Sequence, residues 1–362
     1  MPRVSPVMLL FNLRKCRRRL YGWRQKPQTI IPASVLSLVI GTKVSKRHQP
    51  RAPGLNLANR PSCQKLSSAD LEKTDMIIRS LEGRTALITG AGRGLGKSMA
   101  EGLAAQGANI TLVDLEEDVL LRATADVEAA GGQGSALAVS ADVTVLDQAQ
   151  AAINRTIDTF GGLDILINDA AMGPQFFTEN FVAHTPKFWE HDVDLWQRVL
   201  TVNAFGPQLM ATAAARHLVE RGWGRIINVT TSLDTMYLRG CGAYGPSKAA
   251  LEANTRIMAQ DLQGTGVTAN VLIPGGPANT RMIPQATGFD RDELVQPETM
   301  QAPVCWLCSK EANDISNMRF IAAMWDESLP LEKRIAAAGS PTAWPQIGSV
   351  AKRPGSWANA ER

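Results

Sequence analysis

Thr85-Ala-Leu-Ile-Thr-Gly-Ala-Gly-Arg-Gly-Leu-Gly96 reads as a short apolar β-strand that runs through a glycine-rich turn into a helix. Gly90, Gly94 and Gly96 end the strand and open the helix. Backbone N–H groups of such a turn, Leu95 among them, and the positive end of the helix can meet a pyrophosphate with no side chain in the way. A glycine-rich turn by itself is weak evidence, but Asp114 closes the next apolar run 18 residues beyond Gly96, and that spacing makes it strong. The Asp114 carboxylate can accept hydrogen bonds from both adenosine ribose hydroxyls and would repel a 2′-phosphate, which favours NAD over NADP. Arg93 points the other way, because a cation in the glycine turn can pair with a 2′-phosphate. Leu115 supplies no second cation, so Asp114 decides.

Working outward from this turn, apolar strands alternate with amphipathic helices. The pattern predicts strands at 85–89, 109–114, 136–140, 164–168, 225–230 and 267–273. Helices fall at 94–106, 116–130, 146–160, 194–220 and 243–263. Such alternation calls for an α/β fold with a doubly wound parallel sheet of Rossmann type. One domain over 76–320 accommodates it, preceded by a basic leader over 1–75 and followed by a C-terminal extension over 321–362. Asp142-Val143, after the third strand, can place a carboxylate beside an adenine amino group, or Asp142 can cap the next helix.

Charge divides the chain into two materials. Residues 1–69 contain 14 Lys or Arg and no Asp or Glu, which leaves 24 basic residues against all 34 acidic ones in the remainder. An acid-free, Arg-rich leader has the composition of a mitochondrial transit peptide. It is equally consistent with a misassigned region upstream of Met76. The compartment is therefore the cytoplasm or the mitochondrial matrix. The longest apolar run, Ile30 to Ile40, has 11 residues and contains a proline and two serines, too short to span a bilayer. Charge alone would allow the leader to bind nucleic acid or an anionic membrane, but no nucleic-acid partner is expected. Five cysteines in a chain of this length do not form a disulfide framework, and Cys305-Trp-Leu-Cys308, lacking a second ligand pair, reads as core rather than zinc.

Tyr244-Gly-Pro-Ser-Lys248 sets a phenol and an ammonium one helical turn apart on one face, a pair that can move protons. A cation about 4 Å from a phenol is worth roughly 4 kcal/mol at an effective dielectric near 20, enough to bring a tyrosine toward working pH. With the glycine turn upstream, the chain resembles the short-chain dehydrogenases/reductases that carry TGxxxGxG and YxxxK motifs, over roughly 80–320. The resemblance implies an NAD-dependent oxidoreductase with Tyr244 as general acid/base, Lys248 as its activator and ribose ligand, and Asn203 holding a proton-relay water. It implies a substrate-facing hydroxyl 13 residues before the tyrosine, where Thr231 stands, with Ser232 next to it. Asn168 and Ala170 match the family pattern on the adenosine side, whereas Asp169 and Ala171 depart from it. Pro274 and Thr280 match the turn that lies along the nicotinamide.

The loop from Ala171 to Leu195, with Phe176, Phe177 and Phe181, and the stretch from Met282 to Thr299 are expected to cover the substrate. That substrate reads as an alcohol or ketone, with a sugar acid or other small polar ketone preferred by analogy. A 3-oxoacyl or steroid-type ketoreductase, or an NAD-binding regulatory protein without turnover, are the alternatives. A homodimer or homotetramer is implied by the resemblance. Because the leader lies outside every element the sheet needs, a chain starting at Met76 is expected to fold and to turn over like the full one. Lost solubility or activity in that truncation, measured by circular dichroism and NAD reduction, would contradict the division.

Overall fold

Eight strands form one sheet in the order β3-β2-β1-β4-β5-β6-β7-β8 in the computed structural model, which describes residues 80–345 except 133 and 185. The leader over 1–75 lies outside the described residues, so the readings placed on it are not addressed below. Strands β1 (Thr85–Thr89), β2 (Asn109–Asp114), β3 (Ala136–Ser140), β4 (Ile165–Asn168), β5 (Gly224–Val229), β6 (Val267–Ile273) and β7 (Met318–Ile321) pair in parallel, and β8 (Gly339–Pro341) runs antiparallel to β7. Strands β1, β4, β5 and β6 are buried at every residue rather than at alternate ones, as a covered parallel sheet demands.

Helices α1 (Gly94–Ala105), α2 (Glu117–Gly131) and α8 (Gln301–Cys308) belong to one core with Leu103, Leu120, Leu307 and Phe320. Helices α3 (Leu146–Phe160) and α5 (Gly206–Glu220) bury Ile153, Met210 and Leu218 in the other. The predicted single helix over 194–220 is divided: α4 (Val193–Leu200) passes through a π-helical turn, Thr201–Phe205, before α5. Helix α7 (Tyr244–Asp261) follows the short α6 (Leu233–Met236), and α9 (Leu331–Ala338) lies between the last two strands.

The sheet does not stop at 320. Strands β7 and β8 carry it to residue 341, across the boundary at which the sequence placed an extension. Trp325 from that segment is buried against Trp306, ring centres 4.7 Å apart, and against Phe320 at 6.3 Å. These rings dock the segment on the α8 face of the sheet. Cys308 is buried in α8, and burial pushes the Cys305 thiol up to about 12, so both behave as core side chains.

The strand order reverses between β1 and β4. A crevice opens at the carboxyl ends of the strands there, which is where open α/β sheets bind ligands.

Candidate active site

Every loop that leaves the carboxyl edge of β1 to β6 contributes to one cavity of about 940 Å³. At one end lie Gly90, Arg93, Gly94 and Leu95 with Asp114, Asp142, Val143 and Ala170; at the other lie Thr231, Ser232, Tyr244 and Lys248, with Pro274 and Thr280 between. The residues singled out in the sequence thus converge, apart from Gly96, Asn168 and Asn203, which are not among the lining residues.

The glycine turn is shaped for close approach. Gly90 has φ +68°, and a Cβ there would stand 2.8 Å from the Ala170 backbone; Gly94 has φ +57° and faces Thr280. Oδ2 of Asp114 accepts the Gly92 N–H at 3.1 Å, while Oδ1 accepts those of Leu115 at 2.8 Å and Glu116 at 3.3 Å. A carboxylate held this way at the end of β2, beside backbone amides at a helix N-terminus, fits a dinucleotide with its ribose against Asp114. Arg93 is engaged by a partner the sequence did not reveal. Its guanidinium lies 2.5 Å from Oε2 of Glu116, and Arg281 reaches the other oxygen at 3.3 Å. The Arg93 hydrogen bond holds the Glu116 carboxyl below the usual carboxylate range. Asp142 accepts from the backbone and hydroxyl of Thr144, at 2.9 and 2.7 Å, ordering the turn into α3.

At the other end Tyr244 starts α7, and Thr231 lies beside its phenol, where it opposes the upward shift of the phenol. Ser232 is used locally: its Oγ lies 2.8 Å from Thr235 Oγ1 and accepts the Thr235 N–H, capping α6. Of the two neighbouring hydroxyls, Thr231 is the one that acts on the phenol, while Ser232 bonds within its own turn. Lys248 is buried, and its ammonium donates to the Val229 carbonyl at 2.8 Å, 6.0 Å from the centre of the Tyr244 ring. The reading in which the ammonium draws the phenol toward working pH does not hold in this geometry. Burial pushes the Tyr244 phenol up to about 12, against the opposing Thr231 hydrogen bond. Burial likewise pulls Lys248 down to about 8, with the charge of Asp169 acting upward.

Asn203 and Asn168 bond within the fold and do not line the cavity. The fully buried Asn203 amide in the π turn donates to the Met172 carbonyl at 2.8 Å and to Ser247 Oγ at 3.0 Å, and accepts the Met172 N–H at 2.7 Å. Those bonds anchor α7 and the loop after β4 instead of facing the cavity. Asn168 lies between strands and donates to Asn228 at 2.9 Å. Gly96 packs on Asp169 and the Gly90 carbonyl, and so supports the turn from behind.

The fold and this pocket agree with comparison to known proteins. A family model described as short chain dehydrogenase matches residues 84–288, more than half of the chain. The chain belongs to the short-chain dehydrogenase family. A relative from Sphingobium indicum, 2,5-dichloro-2,5-cyclohexadiene-1,4-diol dehydrogenase LinX, is 30% identical over 66% of this chain and 94% of its own length. The chloroplastic NADPH-dependent aldehyde reductase 2 of Arabidopsis thaliana is 30% identical over 67% of this chain and 93% of its own. Among solved structures, a dehydrogenase/reductase from Sinorhizobium meliloti superposes with a TM-score of 0.58 at 30% identity, covering 67% of this chain and 95% of that one. The protein is thus an oxidoreductase of a family whose cofactor is NAD or NADP.

Asp169, where this short-chain dehydrogenase departs from the family pattern, faces both halves of the site. Part of its surface meets the cavity, but the carboxyl is enclosed by the glycine turn and α7, accepts the Gly96 N–H and feels the Lys248 charge. Burial pushes its pKa up to about 7 from 3.8. A raised carboxyl pKa disfavours the ionised form in the fold: the stability it confers is full below about pH 4 and is lost as pH rises through about 7. Asp169→Asn keeps the Gly96 hydrogen bond without a titrating group. Its melting temperature should gain on the wild type as pH rises from about 5 to about 8, measured by scanning calorimetry across that range. A constant difference would contradict the burial of Asp169.

Proposed function

We propose that the protein is an NAD-dependent alcohol dehydrogenase or ketone reductase, with Tyr244 handling the proton at the substrate oxygen. The observation that carries this reading is a single cavity that presents the Asp114 carboxylate and glycine turn at one end and the Tyr244 phenol, with Thr231 and Lys248, at the other. When bound, the dinucleotide supplies the hydride acceptor or donor. The glycine turn and Asp114 bind its phosphates and ribose, and Pro274 and Thr280 border the space between the two ends. Thr231 orients the substrate oxygen toward the phenol, which gives its proton to that oxygen in reduction and takes it back in oxidation. Lys248 holds the Val229 carbonyl and keeps a positive charge beneath the site. Asn203 and Asn168 support it through the backbone.

NAD is favoured over NADP by two carboxylates at the ribose end. Asp114 would repel a 2′-phosphate, and Glu116 occupies the arginines, Arg93 and Arg281, that could otherwise receive one. The wild type is expected to bind NADH at least tenfold more tightly than NADPH, with Asp114→Ala and Glu116→Gln each narrowing the gap. Fluorescence titration of the reduced cofactors reads this directly, and tighter NADPH binding by the wild type would reverse the assignment.

The substrate end favours a different class from the small polar ketone that analogy suggested. Phe176, Phe181, Leu238, Met282 and Phe289 line it, from the two stretches expected to cover the substrate and the loop before Tyr244. Such walls fit an apolar, ring-containing alcohol or ketone. A ring diol is what the name of the Sphingobium relative describes. A homodimer or homotetramer is supported by the apolar side chains that α4, the π turn and α7 leave exposed, Val193, Phe205 and Ile257. The retained Tyr244, Lys248 and Thr231 geometry argues against a regulatory protein without turnover.

Tyr244→Phe removes one oxygen and preserves the ring packing. It should lower turnover of a ring alcohol with NAD by a factor of about 10² to 10⁴, the worth of a general acid/base. NADH affinity and melting temperature should stay at wild-type values. Near-normal turnover in this variant would refute the mechanism.

A further inference from the structure

Outside the groups that face the cavity, one buried ion pair is joined directly to it. Glu252 lies on α7 one turn beyond Lys248 and two beyond Tyr244, and is fully buried. Arg319 comes from β7, and its Nε stands 3.1 Å from Oε1 of Glu252. The same carboxylate accepts the Thr230 hydroxyl at 3.3 Å and the Ala343 N–H at 3.4 Å. The other arm of the guanidinium donates to the Thr231 carbonyl at 3.0 Å.

Three consecutive residues at the end of β5 are therefore each tied to the same face of α7. Val229 is held through Lys248, Thr230 through Glu252, and Thr231 through Arg319, which is itself held by Glu252. We propose that Arg319 and Glu252 are positioning residues for the reaction, fixing the Thr231 peptide so that its hydroxyl stays on the Tyr244 phenol. The inference rests on the roles proposed above for Thr231 and Tyr244.

Two physical points favour positioning over mere stability. A buried ion pair is a poor stabiliser, since desolvating both charges offsets most of their attraction, so its placement calls for another reason. The planar guanidinium spans two partners at a fixed separation, here the Glu252 carboxylate as an ion pair and the Thr231 carbonyl as a hydrogen-bond acceptor, which a single ammonium cannot do. The pair also explains why the chain past the family-model match at 288 reaches the active site: both Arg319 and Ala343 lie in it.

The test is a double-mutant cycle on Arg319→Lys and Thr231→Val, read as kcat for the best of cyclohexanol, 1-indanol and 1-tetralol with NAD. Arg319→Lys keeps a cation for Glu252 and gives up the second arm. It should lower kcat about tenfold while NADH affinity and melting temperature hold. In the Thr231→Val background, itself at least tenfold impaired, adding Arg319→Lys should cost less than about twofold, because the path through Thr231 is already lost. Arg319→Met, in which the pair is broken, should add a drop in melting temperature that Arg319→Lys does not show. Wild-type kcat in Arg319→Lys, or a loss that multiplies fully with that of Thr231→Val, would overturn the positioning role and leave the proposed function standing. Normal turnover in Thr231→Val would instead remove the role of Thr231 in that function, and this inference with it.

Discussion

Burial of the Lys248 ammonium is the constraint around which the carboxyl edge of the sheet is arranged. An unpartnered ammonium in a low-dielectric interior is too costly to persist, so the fold must supply acceptors and a counter-charge. It supplies the Val229 carbonyl at 2.8 Å and the carboxyl of Asp169, and the ammonium pKa still falls to about 8. The same enclosure raises Asp169 to about 7 and Tyr244 to about 12. One cause therefore moves three groups, each toward its neutral form. Short hydrogen bonds rather than bulk solvent then govern which atom holds a proton, and the Thr231 bond to the phenol is the one aimed at the ionised form.

That dependence on geometry gives weight to the part of the chain beyond the family-model match. Strand β7 is four residues long and would be an exposed edge without β8 against it. Phe320, Trp306 and Trp325 bury their rings beneath it, each worth on the order of 1.5 to 3 kcal/mol in transfer from water, enough to fix so short a strand. With β7 fixed, Arg319 has a defined height relative to the end of β5. The distal aromatic cluster and the Thr231 peptide are connected through that one side chain.

Much of this was legible in the sequence, and the parts that were not share a cause. The first six strands could be read because each is an apolar, β-branched run bounded by turn residues, and Tyr244 with Lys248 because helical spacing alone places them on one face. Strand β7 is only four residues long and β8 reads Gly-Ser-Pro, so neither has a periodic signature. The π turn at Thr201–Phe205 is invisible in a helical pattern that continues on both sides. The direction of the Tyr244 shift depends on how completely water is excluded, which spacing does not encode. Residue type alone left Thr231 and Ser232 open, and only the fold shows that the Ser232 hydroxyl caps α6.

The cofactor end shows the same limit. Arg281 and Glu116 are 165 residues apart, so no local pattern could pair them, yet their contact changes how Arg93 should be read. In the sequence Arg93 is a cation free to receive a 2′-phosphate; in the fold its charge is already met. These side chains are substantially exposed, so the cluster adds little to stability and is open to screening by salt. Its consequence is electrostatic: two guanidiniums and two carboxylates meet at the end of β2, and their charges cancel. A 2′-phosphate arriving there would find Asp114 fixed by three backbone N–H groups and both arginines already committed to Glu116. On the proposed NAD reading, discrimination would come as much from the carboxylate that occupies the arginines as from Asp114.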